Sequence, residues 1–295
     1  MPIVQNNHAG AHYALDIDGT PVESLKTLSG LDLQADIASG LPGPGLAPKK
    51  HVANVSWTPG RASIGMGMGQ AMYEWLKNAF DQGSATADGT LATGDVNFKQ
   101  RSLLTFGNAL LTAVTVPRLD AASKESGAFT VEFAPEWVRL AKGDGSDIRH
   151  AMGTKQQPWV CSNFRFALGT LPCARVASIE SFTWRCAAAP DRQSVVATVP
   201  DLRIAVSLAD YDAWARAAQT GFVASRRLEE SDAMDGVITL LAPDLQTPLG
   251  EIRLAGAGFK RFSHLPAAPG NDALYRFTVD LYVERMALRL VQYEG

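Results

Sequence analysis

The sequence predicts a mainly β fold, a β-barrel or sandwich with one flanking α-helix, duplicated in tandem. Three observations carry the prediction: apolar and polar residues alternating with period two, one stretch of helical spacing in each half, and self-similarity at a long offset. The similarity is clearest between GAFTVEFAPEWVRL (Gly127 to Leu140) and LYRFTVDLYVERMAL. Phe129, Thr130, Val131, Glu136 and Leu140 stand 148 residues before Phe277, Thr278, Val279, Glu284 and Leu288. Those five identities in twelve positions compare with about one expected from ordinary composition. Upstream at the same offset, Phe106 meets Leu254, Ala109 meets Ala257 and Leu111 meets Phe259.

In chain order, YALDIDGTPVESLKTLSGL (Tyr13 to Leu31) reads as strand, turn, strand, and FRFALGTLPCARVASIESF (Phe164 to Phe182) repeats that pattern. The stretch SGLPGPGLAPKK at 39 to 50 holds prolines and glycines that break any regular element, which makes it an exposed loop. Met72, Trp75, Leu76 and Phe80 fall at helical spacing within Ala71 to Gly83. Tyr211, Trp214 and Ala218 do the same within Asp210 to Gly221, setting Trp75 on Trp214. Leu103 to Pro117 is a strand with small residues midway and a proline-containing turn at its end. In Val237 to Phe259 the apolar runs are cut by Pro243, Asp244, Pro248 and Gly250, which predicts a hairpin. The order β-β-β-α-β-β-β therefore occurs twice. Residues 1–145 form the first domain, the polar and glycine-containing 146–158 the linker, and 159–295 the second domain.

A chain of 295 residues, 46% hydrophobic and 19% charged, belongs among compact globular proteins. Its net charge of −3 supplies no basic footprint for tight nucleic-acid binding. Cys161, Cys173 and Cys186 cannot all pair and are too widely spaced for a zinc knuckle, so they read as free thiols in a reducing compartment. The start MPIVQNNHAGAHY lacks the charged and apolar regions of a signal peptide, and no apolar stretch reaches bilayer length. The expectation is a soluble protein made in the cytoplasm, with no membrane insertion.

The segment PGRASIGMGMGQAMYEWL raises the question of a nucleotide. Gly65, Gly67 and Gly69 precede a helix, as in a phosphate-binding loop, but Gln70 stands where a dinucleotide fingerprint needs its third glycine. No Gly-Lys-Ser or Gly-Lys-Thr follows, so the stretch reads as a flexible strand-to-helix connection. His8, His12, His51, His150 and His264 are scattered, with no pair at metal-ligand spacing. Asp16 and Asp18 flank a turn, where carboxylates usually cap backbone amides. The acidic run Leu228 to Asp232 reads as a solvated loop face that Arg226 and Arg227 can pair with. Trp57, Trp75, Trp137, Trp159, Trp184 and Trp214 are explained by core or interface packing. No Gly-x-Ser-x-Gly elbow or glycine-flanked cysteine signature occurs. The sequence thus names no catalytic residue, no cofactor-binding residue and no metal ligand, and the protein is not expected to be an enzyme or to carry a cofactor.

The order of YALDIDG, LSGLDLQADI, a Pro/Gly-rich loop, KKHVANVSWTPG, the helix MYEWLKNAF, a hairpin and GAFTVEFAPEWVRL resembles the tail-tube family of contractile phages and related injection systems, to which the type VI secretion tube protein is related. In that family an Arg-Gly turn precedes a helix with a tryptophan; here Gly60 and Arg61 are reversed, GMGMG is inserted, and Trp75 follows. The resemblance covers residues 12 to 140 well and 159 to 291 more weakly. It implies barrels assembling into rings of sixfold character, stacked into a hollow tube that conducts DNA or protein cargo without specific binding. GMGMG would then be a ring-to-ring or subunit-contact loop. With two copies per chain, three chains complete a pseudo-hexameric ring. The implied partners are further copies of the chain, with sheath, tape-measure and baseplate proteins around them. The implied location is a virion tail or injection particle assembled in the cytoplasm. Two alternatives stay open: a tube-end, baseplate-hub or adaptor component of the same particle, and a monomeric ligand-binding or enzymatic β-barrel.

Overall fold

A computed structural model of the protein describes residues 12–40, 49–148, 159–188, 195–225, 233–263 and 276–294. His8, His150, His264, Arg226, Arg227, the acidic run up to Asp232, and most of the Pro/Gly-rich loop and of the linker lie outside the described residues. The fold is mainly β, with 59% of residues in strands that form curled sheets, 14% in helices, and two α-helices.

The first half runs β1 (His12–Ile17), β2 (Thr20–Pro21), β3 (Leu25–Ser29), β4 (Leu33–Ser39), β5 (Lys50–Trp57), β6 (Gly60–Ile64), α1 (Gln70–Gln82), β7 (Thr86–Gly94), β8 (Gln100–Val116), β9 (Leu119–Asp120), β10 (Phe129–Ala134) and β11 (Trp137–Lys142). The second runs β12 (Phe164–Leu168), β13 (Val176–Ile179), β14 (Phe182–Ala188), β15 (Val195–Thr198), β16 (Leu202–Ser207), α2 (Tyr211–Ser225), β17 (Met234–Leu241), β18 (Pro248–Ser263) and β19 (Arg276–Leu290). Each helix is preceded by more strands than the β-β-β-α-β-β-β order expected. The extra strands are the two-residue β2 and two hairpins, β4–β5 and β14–β15, that lie off the main pairing path. Asp18-Gly19 and Gly30-Leu31, with positive φ, make the tight turns that lead into β2 and β4.

One pairing order recurs. In the first sheet β1, β7, β8, β10, β6 and β3 are successive neighbours, and in the second β12, β17, β18, β19, β16 and β13 are. Every pairing in these runs is antiparallel. Even the irregularity recurs, since a bulge falls between Glu132 and Phe133 opposite β8 and between Phe259 and Arg261 opposite β19. The predicted hairpin is β17–β18, turning through Ala242 to Thr247.

α2 lies on its own sheet, whereas α1 packs between its own sheet and β19 of the second, each through the residues its spacing marks. Met72, Trp75, Leu76 and Phe80 are buried on α1, and Trp214 and Ala218 on α2. Trp75 meets Phe133 edge-on at 5.6 Å and Trp214 meets Phe277 at 6.5 Å. Burying a large apolar side chain contributes about 2 kcal/mol, and each indole also needs a partner for its N–H. Trp75 donates to the Ala85 carbonyl (3.2 Å) and Trp214 to that of Pro172 (3.0 Å).

Candidate assembly interface

The two halves are locked together by strands that leave their own sheet. β14 pairs antiparallel with β8, placing Phe182, Thr183, Trp184 and Arg185 opposite Val116, Thr115, Val114 and Ala113. The hydroxyls of Thr115 and Thr183 lie 2.9 Å apart, and Ser181 donates to the Val116 carbonyl at 2.8 Å. Trp184 is buried against Phe80 of α1, with ring centroids 5.3 Å apart, and the Cys186 thiol donates to the Gly83 carbonyl at 3.2 Å.

α1 also reaches the end of β19. The Tyr73 hydroxyl accepts from the Leu290 N–H (3.3 Å), donates to Glu294 Oε1 (2.5 Å), and its ring stacks on Tyr293 at 5.0 Å. Arg289 donates to Asp81 at 3.0 Å. Burial, together with the bond to Glu294, pushes the Tyr73 phenol up to about 12. This joint therefore has a strand addition, an aromatic plug and a helix-on-strand contact.

The glycine-rich segment belongs to the same joint, which corrects both its expected flexibility and its expected role as a ring-to-ring or subunit-contact loop. Residues 65 to 69 are all buried, with Met66 and Met68 inside the core. Their backbone groups are taken up by the chain: Gly65 N–H by Ser24 O, Met68 O by the Glu23 N–H, Met66 O by Gln292, and Gly69 N–H by the Tyr293 hydroxyl. Gly69 starts the helix at φ +88°, where a Cβ would lie 2.8 Å from the Pro21 carbonyl oxygen. The Gly65 and Gly69 amides are therefore not free to cradle a phosphate.

Elsewhere, among the described residues, similar elements present uncovered apolar faces or strand edges at the surface. Among the described residues β4 and β5 pair only with each other, and Leu33, Ile37, Val52 and Val55 are each more than half exposed on them. On β11, Leu140 is 67% exposed. At the end of α2, Phe222 and Val223 are exposed. β18 from Gly258 to Ser263 pairs with β19 on one side and with no described strand on the other. Exposed apolar patches and unpaired strand edges of this kind mark association surfaces.

The remaining sequence candidates take structural positions. Asp16 accepts from the Gly19 amide at 2.8 Å and Asp18 from the Asp88 amide at 3.0 Å, as expected of turn caps. His12 stacks on Phe98, and His51 is exposed on β5. No cluster of three metal-ligating side chains occurs among the described residues. The cysteines are unpaired, and burial pushes their thiols up, Cys173 to about 11. Trp75, Trp159, Trp184 and Trp214 are core residues, whereas Trp137 lies exposed on β11. A groove of about 900 Å³ runs between the halves, lined in part by Phe80, Trp184, Glu251 and Arg253. Its Glu251 and Arg253 bind each other at 3.0 Å. No helix among the described residues is long and apolar enough to cross a membrane.

No protein family's sequence profile matches the chain, and no curated protein does. Solved structures do match. A chain of the PVC sheath-tube complex, an extracellular contractile injection system in the extended state, is 17% identical, covering 47% of this chain and 94% of its own, with a TM-score of 0.40. A chain of the anti-feeding prophage (AFP) baseplate is 13% identical over 48% of this chain and 98% of its own, at 0.38. A chain of the AFP tube-terminating cap is 20% identical over 48% and 96%, at 0.41. The protein's structural neighbours are thus tube, sheath-tube, baseplate and cap proteins of contractile injection systems.

Proposed function

We propose that the chain is a structural component of a phage tail or phage-tail-like contractile injection particle, built from two tandem tube-like domains, residues 1–145 and 159–295, joined by 146–158. Its role is to form the hollow tube, with three chains making one ring of pseudo-sixfold symmetry. One observation carries this reading: a single pairing order occurs in both halves, and the elements that join the halves have exposed counterparts at the surface. A ring-forming module needs complementary donor and acceptor surfaces of that kind. The resemblance of residues 12 to 140 to tail-tube proteins supplies the type of particle. The net charge of −3 suits a lumen that lets DNA or protein cargo slide without sticking. Sheath, tape-measure and baseplate proteins are the partners of this reading, which is non-enzymatic, and the assembled particle is its location.

A second reading, a tube-end, baseplate-hub or adaptor component, is favoured by the divergence of the halves. β19 is one continuous strand where the first half has β10 and β11, interrupted at Pro135 and Glu136. Electron microscopy of the purified protein tests both: stacked rings support the main tube, single rings the specialised component, and a uniform monomer neither.

A further inference from the structure

We propose that the joint inside the chain is repeated between chains: the β4–β5 arm of a donor copy adds antiparallel to the edge of β18 between Gly258 and Ser263, unpaired among the described residues, in an acceptor copy, whose α2 covers the donor's β11. The partner is a second copy of this chain. This inference rests on the ring-forming reading above and specifies how the ring closes.

Positional equivalence comes from the pairing registers. Ser56 of β5 and Thr198 of β15 each lie four residues before the first residue of the next strand, Gly60 and Leu202. Ser56 faces Gln34 and Thr198 faces Arg185, so β4 is to its half what β14 is to the other, with Leu33 at the place of Trp184. On the acceptor side Val114 faces Val131 and Phe262 faces Val279, which puts Phe262 at the place of Val114.

Equivalent positions differ where one is covered and the other is not. Trp184 is 1% exposed and its counterpart Leu33 is 60% exposed. Leu288, covered by α1, is 1% exposed, whereas Leu140, 148 residues earlier, is 67% exposed. On the helices Tyr73 and Phe80 are buried, while Asp212 and Gln219, displaced from them as Trp214 is from Trp75, are exposed. Phe222 and Val223 offer apolar surface at the end of α2, at 38% and 55% exposure, near where the arm would land. Donor and acceptor surfaces lie on different halves, so the contact is heterologous. Repeating it closes a ring if the rotation permits and otherwise continues as a filament.

The register is specific: Asp32 opposite Ser263, Leu33 opposite Phe262 and Gln34 opposite Arg261. The first pair occupies the place of Thr183 and Thr115, whose side chains touch at 2.9 Å. Cysteines there fall within disulfide reach. The test is the full-length Asp32→Cys/Ser263→Cys protein, mildly oxidised and run without reductant beside each single variant, with electron microscopy of the same samples. The expected result is covalent multimers up to the ring's copy number from the double variant and none from the singles. Rings without the 32–263 bond would overturn the strand addition and leave the ring-forming reading standing; monomers without rings would remove both. If the double variant misfolds, amide exchange of the unaltered protein decides. Assembly should slow exchange on β18 between Arg261 and Ser263 at least tenfold relative to dilute monomer, and unchanged exchange there would overturn the proposal.

Discussion

Arg203 holds Asp280 across neighbouring strands with two hydrogen bonds, Nε to Oδ1 at 2.7 Å and Nη2 to Oδ2 at 3.0 Å. Arg61 and Glu132 occupy the same places on β6 and β10, their charged groups 3.7 Å apart. The repeat thus extends to a cross-strand ion pair outside the core, where packing alone would not demand it.

The hydrogen bonds from Arg203 hold the Asp280 carboxyl below the usual carboxylate range. A depressed folded-state pKa means that the pair's contribution is complete above the ordinary value near pH 4 and is lost as pH falls through the folded value. Arg203 is 56% exposed, so the contribution is no more than about 1 kcal/mol. Asp280→Asn should therefore lower the urea midpoint at pH 7 slightly, and the gap from the unaltered protein should close at acid pH. Equal midpoints at both pH values would contradict this account of the pair.

Trp214 should dominate the stability of the second half. It is fully buried, sits edge-on to Phe259 and Phe277, and satisfies the Pro172 carbonyl. Trp214→Ala should cost about 3–5 kcal/mol through the cavity left behind. Trp214→Phe should cost about 1–3 kcal/mol, since it removes the hydrogen bond to Pro172 and leaves part of the indole's volume empty. Denaturant titration reads both values.

At the joint, Tyr73→Phe removes the acceptor of the Leu290 amide and should cost about 1–2 kcal/mol. A phenol raised to about 12 contributes fully below its ordinary value near 10 and loses that contribution as pH rises through about 12. Alkaline unfolding should therefore show a step that Tyr73→Phe lacks, read by tyrosinate absorbance and circular dichroism together.

Gly30 sets the base of the free arm. It has φ +82°, and a Cβ there would sit 2.0 Å from the Pro59 carbonyl oxygen. Gly30→Ala should cost well over about 1 kcal/mol and expose the arm to proteolysis. Gly19, at φ +78° with open space around it, is the control: Gly19→Ala should cost only about 1 kcal/mol. Equal protease sensitivity of the two variants would show that the close approach at Gly30 does not matter.

What the sequence discloses follows from where each residue's partners lie. The repeat, both helices and the β17–β18 hairpin depend on local periodicity, and Phe129, Val131, Trp75 and Trp214 announce it. The addition of β14 to β8 does not, because Trp184 reads as an ordinary core residue until Val114 and Phe80 are placed beside it. GMGMG misleads for the same reason, since Met66 and Gly69 are tied down by Gln292 and Tyr293 more than 200 residues away. The arm is hidden in the opposite sense: β4 and β5 leave both faces exposed within one chain, so no buried face marks them.

The most direct measurement of the central claim is cryo-electron microscopy of the purified full-length protein, with its mass in solution recorded on the same preparation. Closed rings with a central channel, three chains in each and six similar lobes around it, are the predicted result. A uniform monomer, or rings holding six full chains, would contradict the account.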